Sequence, residues 1–131
     1  MIGTRAVVED EAIASVLRLY TEGAASGDAA KLRKAFHEHA RTYGSLNGAR
    51  YDIPVDEMIA MEERSPRDSD GRYTAHIMSI EQAGDVATAT VEEDGCWGTV
   101  SFTSFLSLVK IDGRWQIVTR VFAHVSGLLP S

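Results

Sequence analysis

Apolar residues recur at helical spacing through the first half of the chain and at alternate positions through the second. Ile13, Val16, Leu17 and Tyr20 line one side of a helix predicted over 9–27, and Ala24 continues the row. "SGD" at 26–28 ends it. Gly27 suits the left-handed C-terminal position, and Asp28 is a good N-cap for a second helix, "AAKLRKAF", with Leu32, Ala35 and Phe36 on its apolar face. "FHEH" then closes that helix, His37 lying near its carbonyl end. "ARTYG" at 40–44 predicts a brief strand and "SLNGARYD" at 45–52 a loop. Pro54 opens a third helix, "PVDEMIAMEER", which buries Met58, Ile59 and Met61; "SPRDSDG" at 65–71 is a polar loop.

From residue 72 the period becomes two. "RYTAHIMSIE", "VATATVEED", "TVSFTSFLSLVK" and "RWQIVTRVFAHV" predict four strands joined by turns at "QAGD", "GCWG" and "IDG". Three helices followed by a meander make an α+β domain. The strands form a strongly curved sheet wrapped on the helices. The short strand near residue 42 joins its edge.

Length and composition narrow the classes. A chain of 131 residues, 44% hydrophobic and 24% charged, is the size of one domain able to bury its own core. A net charge of −6 with scattered Lys and Arg argues against nucleic-acid binding. No apolar run approaches the roughly 18 residues of a membrane span. The single Cys96 cannot form an internal disulfide. With no basic-then-apolar leader recognisable, a cytoplasmic location is expected. There is no Gly-rich phosphate loop, G-x-S-x-G elbow, H-E-x-x-H or paired C-x-x-C, so neither a cofactor nor a metal is expected. His37 and His39 do not share a helix face and lack a third ligand of suitable spacing.

Among residues that carry chemistry, strict alternation places Trp115, Ile117, Thr119 and Val121 on one face of the last strand, as core. Gln116, Val118, Arg120, Phe122 and His124 take the other, as pocket or dimer surface. His76 shares a face with Thr74, Met78 and Ile80 and reads either as a proton carrier or as a packed core histidine. Glu92, Glu93 and Asp94 read as a solvated strand end, with Glu93 facing away from the other two. Cys96, after acidic neighbours, makes a poor nucleophile. Met58 and Trp97, with Tyr43 and Tyr51, can wall a pocket mouth or simply pack.

Four stretches, "LYTEGAASGDAAKLRKAF", "FHEHARTYG", "SIEQAGDVATATVE" and "FLSLVKIDGRWQIVTRVF", resemble the nuclear transport factor 2-like (NTF2-like), cystatin-like superfamily. The likeness spans about 8–124 and is closest to its lumazine-binding, polyketide-cyclase-like and ketosteroid-isomerase-like group. It implies three helices packed in the concave face of a mostly antiparallel mixed sheet, a cone-shaped barrel. It also implies a conical pocket for a small organic molecule and a homodimer through the convex sheet face. In isomerase-like members a tyrosine at the place of Tyr20 donates to a developing oxyanion; the other reading of Tyr20 is a core residue with its hydroxyl satisfied. The resemblance puts Val118, Arg120 and Phe122 on pocket-lining positions, where Arg120 can hold a carboxylate or enolate. His124 can move a proton beside it. The carboxylate base of those relatives falls near Gly44 or Ser45 and their second acid near Ser104 or Phe105, so that dyad does not carry over. Two readings follow. One is a cofactor-independent isomerase, dehydratase or cyclase using Tyr20, Arg120 and His124 or His76. The other is a non-catalytic ligand-binding or dimeric accessory protein.

Overall fold

The computed structural model describes residues 9–129. Three helices, α1 (Asp10–Ser26), α2 (Ala29–Ala35) and α3 (Val55–Arg64), accompany six strands. These are β1 (Phe36–Leu46), β2 (Ala49–Pro54), β3 (Thr74–Ala83), β4 (Val86–Cys96), β5 (Val100–Ile111) and β6 (Arg114–Ser126). The helix signals act as their chemistry dictates. Gly27 takes φ 71° at the end of α1. The Asp28 carboxylate accepts from the Lys31 amide at the start of α2.

The sheet runs β2-β1-β6-β5-β4-β3, antiparallel throughout except where β1 lies parallel to β6. β2 and β3 are its two free edges, so the sheet is open and not closed into a barrel. This is an α+β cone. α1 packs on β3 and β6, and α3 on β1 and β2. The core they enclose includes Ile13, Leu17, Leu32, Ile59, Val91, Leu106 and Ile117.

Several expectations need correction. The stretch 45–52 is not a loop but a hairpin: Asn47 (φ 52°) and Gly48 (φ 84°) turn β1 back into β2. Asn-Gly favours such turns because both positions tolerate positive φ. β1 is also much longer than 40–44. It begins at Phe36, directly after α2, so His37 and His39 lie on strand, where the His39 amide donates to His37 Nδ1 at 3.0 Å.

The correction on β6 decides the site. Ser107 pairs with Thr119 but Leu108 with Ile117, which leaves Val118 as the extra residue of a β-bulge in β6. Inward-facing positions before it are Trp115 and Ile117; after it they are Arg120 and Phe122, while Val121 faces out. A similar slip at Met78 turns Ile80 to the side of Ile77 and away from His76.

Candidate functional site

A cavity of about 530 Å³ opens between β1, β2, α3, the 65–73 loop and the inner face of β5 and β6. Tyr51, Trp97, Phe102, Phe122, Met58 and Met61 give it apolar walls. Phe102 makes edge contacts with Trp97 and Phe122 at centroid distances of 5.9 and 5.5 Å. Gly44, paired with Phe122 across the β1–β6 ladder, lacks the Cβ that would strike the Phe122 backbone oxygen and ring. β1 can therefore lie close enough for Phe122 to form part of the wall.

Beneath the apolar walls lies a buried polar cluster. Glu93 is 0% exposed. Alternation along β4 sets it inside with Ala87, Ala89 and Val91, so the reading of a solvated strand end is corrected. Its Oε2 accepts from the Tyr20 hydroxyl at 2.7 Å. Its Oε1 accepts from the Tyr73 hydroxyl at 2.6 Å and Arg67 Nη1 at 2.7 Å. Arg67, 2% exposed, also donates from Nη1 to the Tyr20 oxygen at 3.1 Å, and from Nε and Nη2 to the two Glu62 oxygens. Every nitrogen of Arg67 is thus engaged. The backbone holds the residue as firmly: its N–H donates to Ala24 O and its carbonyl accepts from the Trp97 amide.

Electrostatics assigns charge states. Burial would raise the Glu93 carboxyl, but the Arg67 and Arg120 charges outweigh it and hold the group below its ordinary value. Burial pushes the Tyr20 hydroxyl up to about 12, so it is a neutral donor. The Cys96 thiol, also buried, is pushed up to about 12.

Arg120 differs from Arg67. It is 2% exposed, and its Nε donates to Ser104 Oγ at 3.1 Å. The guanidinium stacks 4.3 Å from the Phe122 ring centre. Among the described residues no acceptor hydrogen-bonds to its Nη atoms and no carboxylate forms an ion pair with it. It lies on the cavity wall with Glu62 and Arg67.

Of the residues singled out in the sequence, Arg120, Phe122, Met58 and Trp97 meet at this cavity. Tyr20 lies just behind it, its ring 5.6 Å from the Arg120 guanidinium. Val118 is the bulge residue and is absent from the lining. His76 is exposed on the outer face, opposite Glu92. His124 sits near the rim: its Nδ1 accepts from the Asn47 amide at 3.1 Å, which leaves Nε2–H to donate to Gly127 O at 2.6 Å. Both ring nitrogens are occupied there. Sequence reasoning missed Glu62, Arg67 and Glu93. The one available signal was Glu93's opposite parity to Glu92 and Asp94; nothing local marks Arg67, which sits in a polar loop.

A larger groove of about 780 Å³ lies beside His37 and His39. Its charged groups are exposed and pair locally, Arg33 with Asp56 at 3.0 Å and Arg41 with Asp52 at 2.9 Å. No buried polar residue lines it. Among the described residues no group of three His, Cys, Asp or Glu side chains is placed to hold a metal.

The open α+β cone is the NTF2-like fold. Residues 8–123 match the family described as "Putative lumazine-binding", and the chain belongs to that family. It is 27% identical to an NTF2-like protein from Silicibacter pomeroyi, with a TM-score of 0.81 over 91% of this chain and 100% of that one. A ketosteroid isomerase-like protein from Erwinia carotovora shares the fold at 14% identity and TM-score 0.72, covering 92% and 99% of the two chains. A curated relative, "Aldolase FrzH" from Cladobotryum sp., is 26% identical over 114 residues, covering 87% of this chain and 90% of that protein. The family is associated with small-molecule binding. No helix among the described residues is long and apolar enough to cross a membrane.

Proposed function

We propose that the cavity binds a small organic carbonyl compound and that the protein is a cofactor-independent enzyme stabilising the enolate formed from it. One observation carries this reading: the buried Arg120 guanidinium reaches an apolar cavity with its terminal N–H groups unpartnered. A ligand oxygen there gains a charge-assisted hydrogen bond in a water-poor setting, and the bond strengthens as the oxygen becomes anionic. Tyr20 acts from behind, as a neutral donor that helps hold Glu93 and Arg67 in place. Glu62, the carboxylate on the cavity lining, takes the proton from the carbon beside the carbonyl. His76 and His124 have no part in this step, given where their rings lie. The name of the curated relative agrees with this chemistry, because aldol addition and cleavage both pass through an enolate-type nucleophile.

The alternative, a binding protein without chemistry, draws on the grip of Arg67 on both Glu62 oxygens, which are already engaged as acceptors. Proton exchange separates the two. In D₂O, wild-type protein is expected to speed deuterium uptake beside the carbonyl of 4-phenylbutan-2-one, followed by NMR. Arg120→Met and Glu62→Gln should each lower that rate by about 10²–10³-fold. Arg120-dependent binding by thermal shift without any exchange would leave the non-catalytic reading standing.

The outer sheet face supports a homodimer. Tyr43 of β1 registers with Val121 of β6, and Val121 with Phe105 of β5, forming an apolar row across three strands. Phe105 is 58% and Val121 46% exposed, a contiguous patch of the kind that a second copy of a sheet covers. Sedimentation at micromolar concentration is expected to give twice the chain mass, and Phe105→Glu the single mass. A wild-type monomer would end this proposal.

A further inference from the structure

Resting on that reading of Arg120, we propose that the substrate is a 1,3-dicarbonyl compound, whose two coplanar oxygens sit on the terminal edge of the guanidinium. The edge is what the surroundings leave available. Nε is committed to Ser104, while the rings of Phe122, Tyr20 and Phe102 crowd the guanidinium at 4.3, 5.6 and 6.0 Å from its carbon. Two parallel N–H groups remain on the cavity side, and that fork matches a planar pair of oxygens better than a single carbonyl.

Charge decides which pair of oxygens. Glu62 and Glu93 balance Arg67 and Arg120, and all four are nine-tenths or more buried, so the empty site is neutral. A carboxylate would enter as a permanent anion and leave one buried negative charge uncompensated, which is costly. A 1,3-dicarbonyl enters neutral. When the C–H bond between its carbonyls breaks, the proton forms an O–H bond on Glu62 and the electron pair spreads over both oxygens. The negative charge thereby moves from Glu62 to the oxygens facing Arg120, and the site stays balanced without an oxidant or a cofactor. Tyr51, Trp97 and Phe102 offer an apolar berth for the rest of the molecule.

Three matched probes test this on the intact chain: 1-phenylbutane-1,3-dione, 4-phenylbutan-2-one and 4-phenylbutanoate, titrated by calorimetry, with the dione also followed by the longer-wavelength absorbance of its enolate. The dione is expected to bind about tenfold or more tightly than either other probe, with a visible enolate band. Arg120→Lys keeps the charge but loses the fork. It should weaken the dione by about tenfold, abolish the band and change the ketone by less than about threefold, with its fold verified by thermal unfolding. If ketone and dione bind equally and both depend on Arg120, the two-oxygen assignment is overturned while the carbonyl reading stands. Tightest binding by the acid overturns the charge argument. Indifference of the dione to Arg120→Lys overturns the two-oxygen assignment, and binding of no probe, or indifference of every probe to Arg120→Met, overturns both.

Discussion

Replacing Arg67 by Met is expected to lower the unfolding free energy by about 3–5 kcal/mol, the cost typical of removing one partner from a buried ion pair. Arg67 stands between Glu62 and Glu93 and touches both, at 2.7 Å in the case of Glu93. Its removal leaves two carboxylates in the interior with only Arg120 to offset them, and takes a donor from Tyr20. Urea unfolding at pH 7 measures the loss. A second substitution, Arg67→Met with Glu93→Gln, should recover part of it, because the neutral amide still accepts from Tyr20 and Tyr73 and no longer strands a charge. A loss below about 1 kcal/mol for the single variant would mean that the cluster relaxes into water and does not support the cavity floor.

Stability is expected to hold level between about pH 4.5 and 9 and to fall on both sides. On the acid side the group is Glu93, held in the folded protein below its usual value of 4.5. Its contribution is complete above 4.5 and is lost as pH drops through the lower folded value, where the buried carboxylate takes a proton. On the alkaline side the sign is reversed. The folded protein keeps the Tyr20 proton up to about 12, whereas the unfolded chain releases it near 10.0. The contribution of Tyr20 is therefore intact below 10 and disappears between 10 and 12, a loss of about 3 kcal/mol for two pH units. Cys96 begins the decline earlier, from 9.0. Urea midpoints collected from pH 3 to 12 test both limbs. Tyr20→Phe should make the limb above 10 shallower, with Cys96 and the half-buried Tyr73 hydroxyl keeping part of it. It should also shrink the acid limb slightly, because Tyr20 is one of the donors that hold Glu93 low. Constant stability from 9 to 12 in the wild type would contradict the burial of these protons.

Much of the architecture was legible because it rests on local chemistry. Ile13, Leu17, Tyr20 and Ala24 lie at 0% exposure along the predicted stripe of α1. Gly27 and Asp28 end one helix and start the next. The hairpin at Asn47–Gly48 was equally local and was passed over, because the polar residues around it outweighed the Asn-Gly signal. The site was legible only in part. Arg120 and Phe122 were singled out by their resemblance to pocket-lining positions, Met58 and Trp97 as walls. Glu62 and Arg67, five residues apart at the end of α3 and in a polar loop, look like ordinary surface residues until the loop folds over the cone.

What the sequence determined by itself, then, was the order of helices and strands and the period of each. Those depend on residues within a few positions of one another. Two matters were left to the tertiary structure. One is which residues face inward along β6: alternation alone separates Ile117 from Arg120, and the bulge at Val118 brings them to one side. A bulge arises from pairing between strands and leaves no mark on a single strand's pattern. The other is where charge lies. Glu93 stands beside Glu92 and Asp94 in sequence, yet it is buried because Tyr20 from α1 and Arg67 and Tyr73 from the 65–73 loop meet its two oxygens. A carboxylate can leave water only when such partners are already in place, and only the folded chain assembles them.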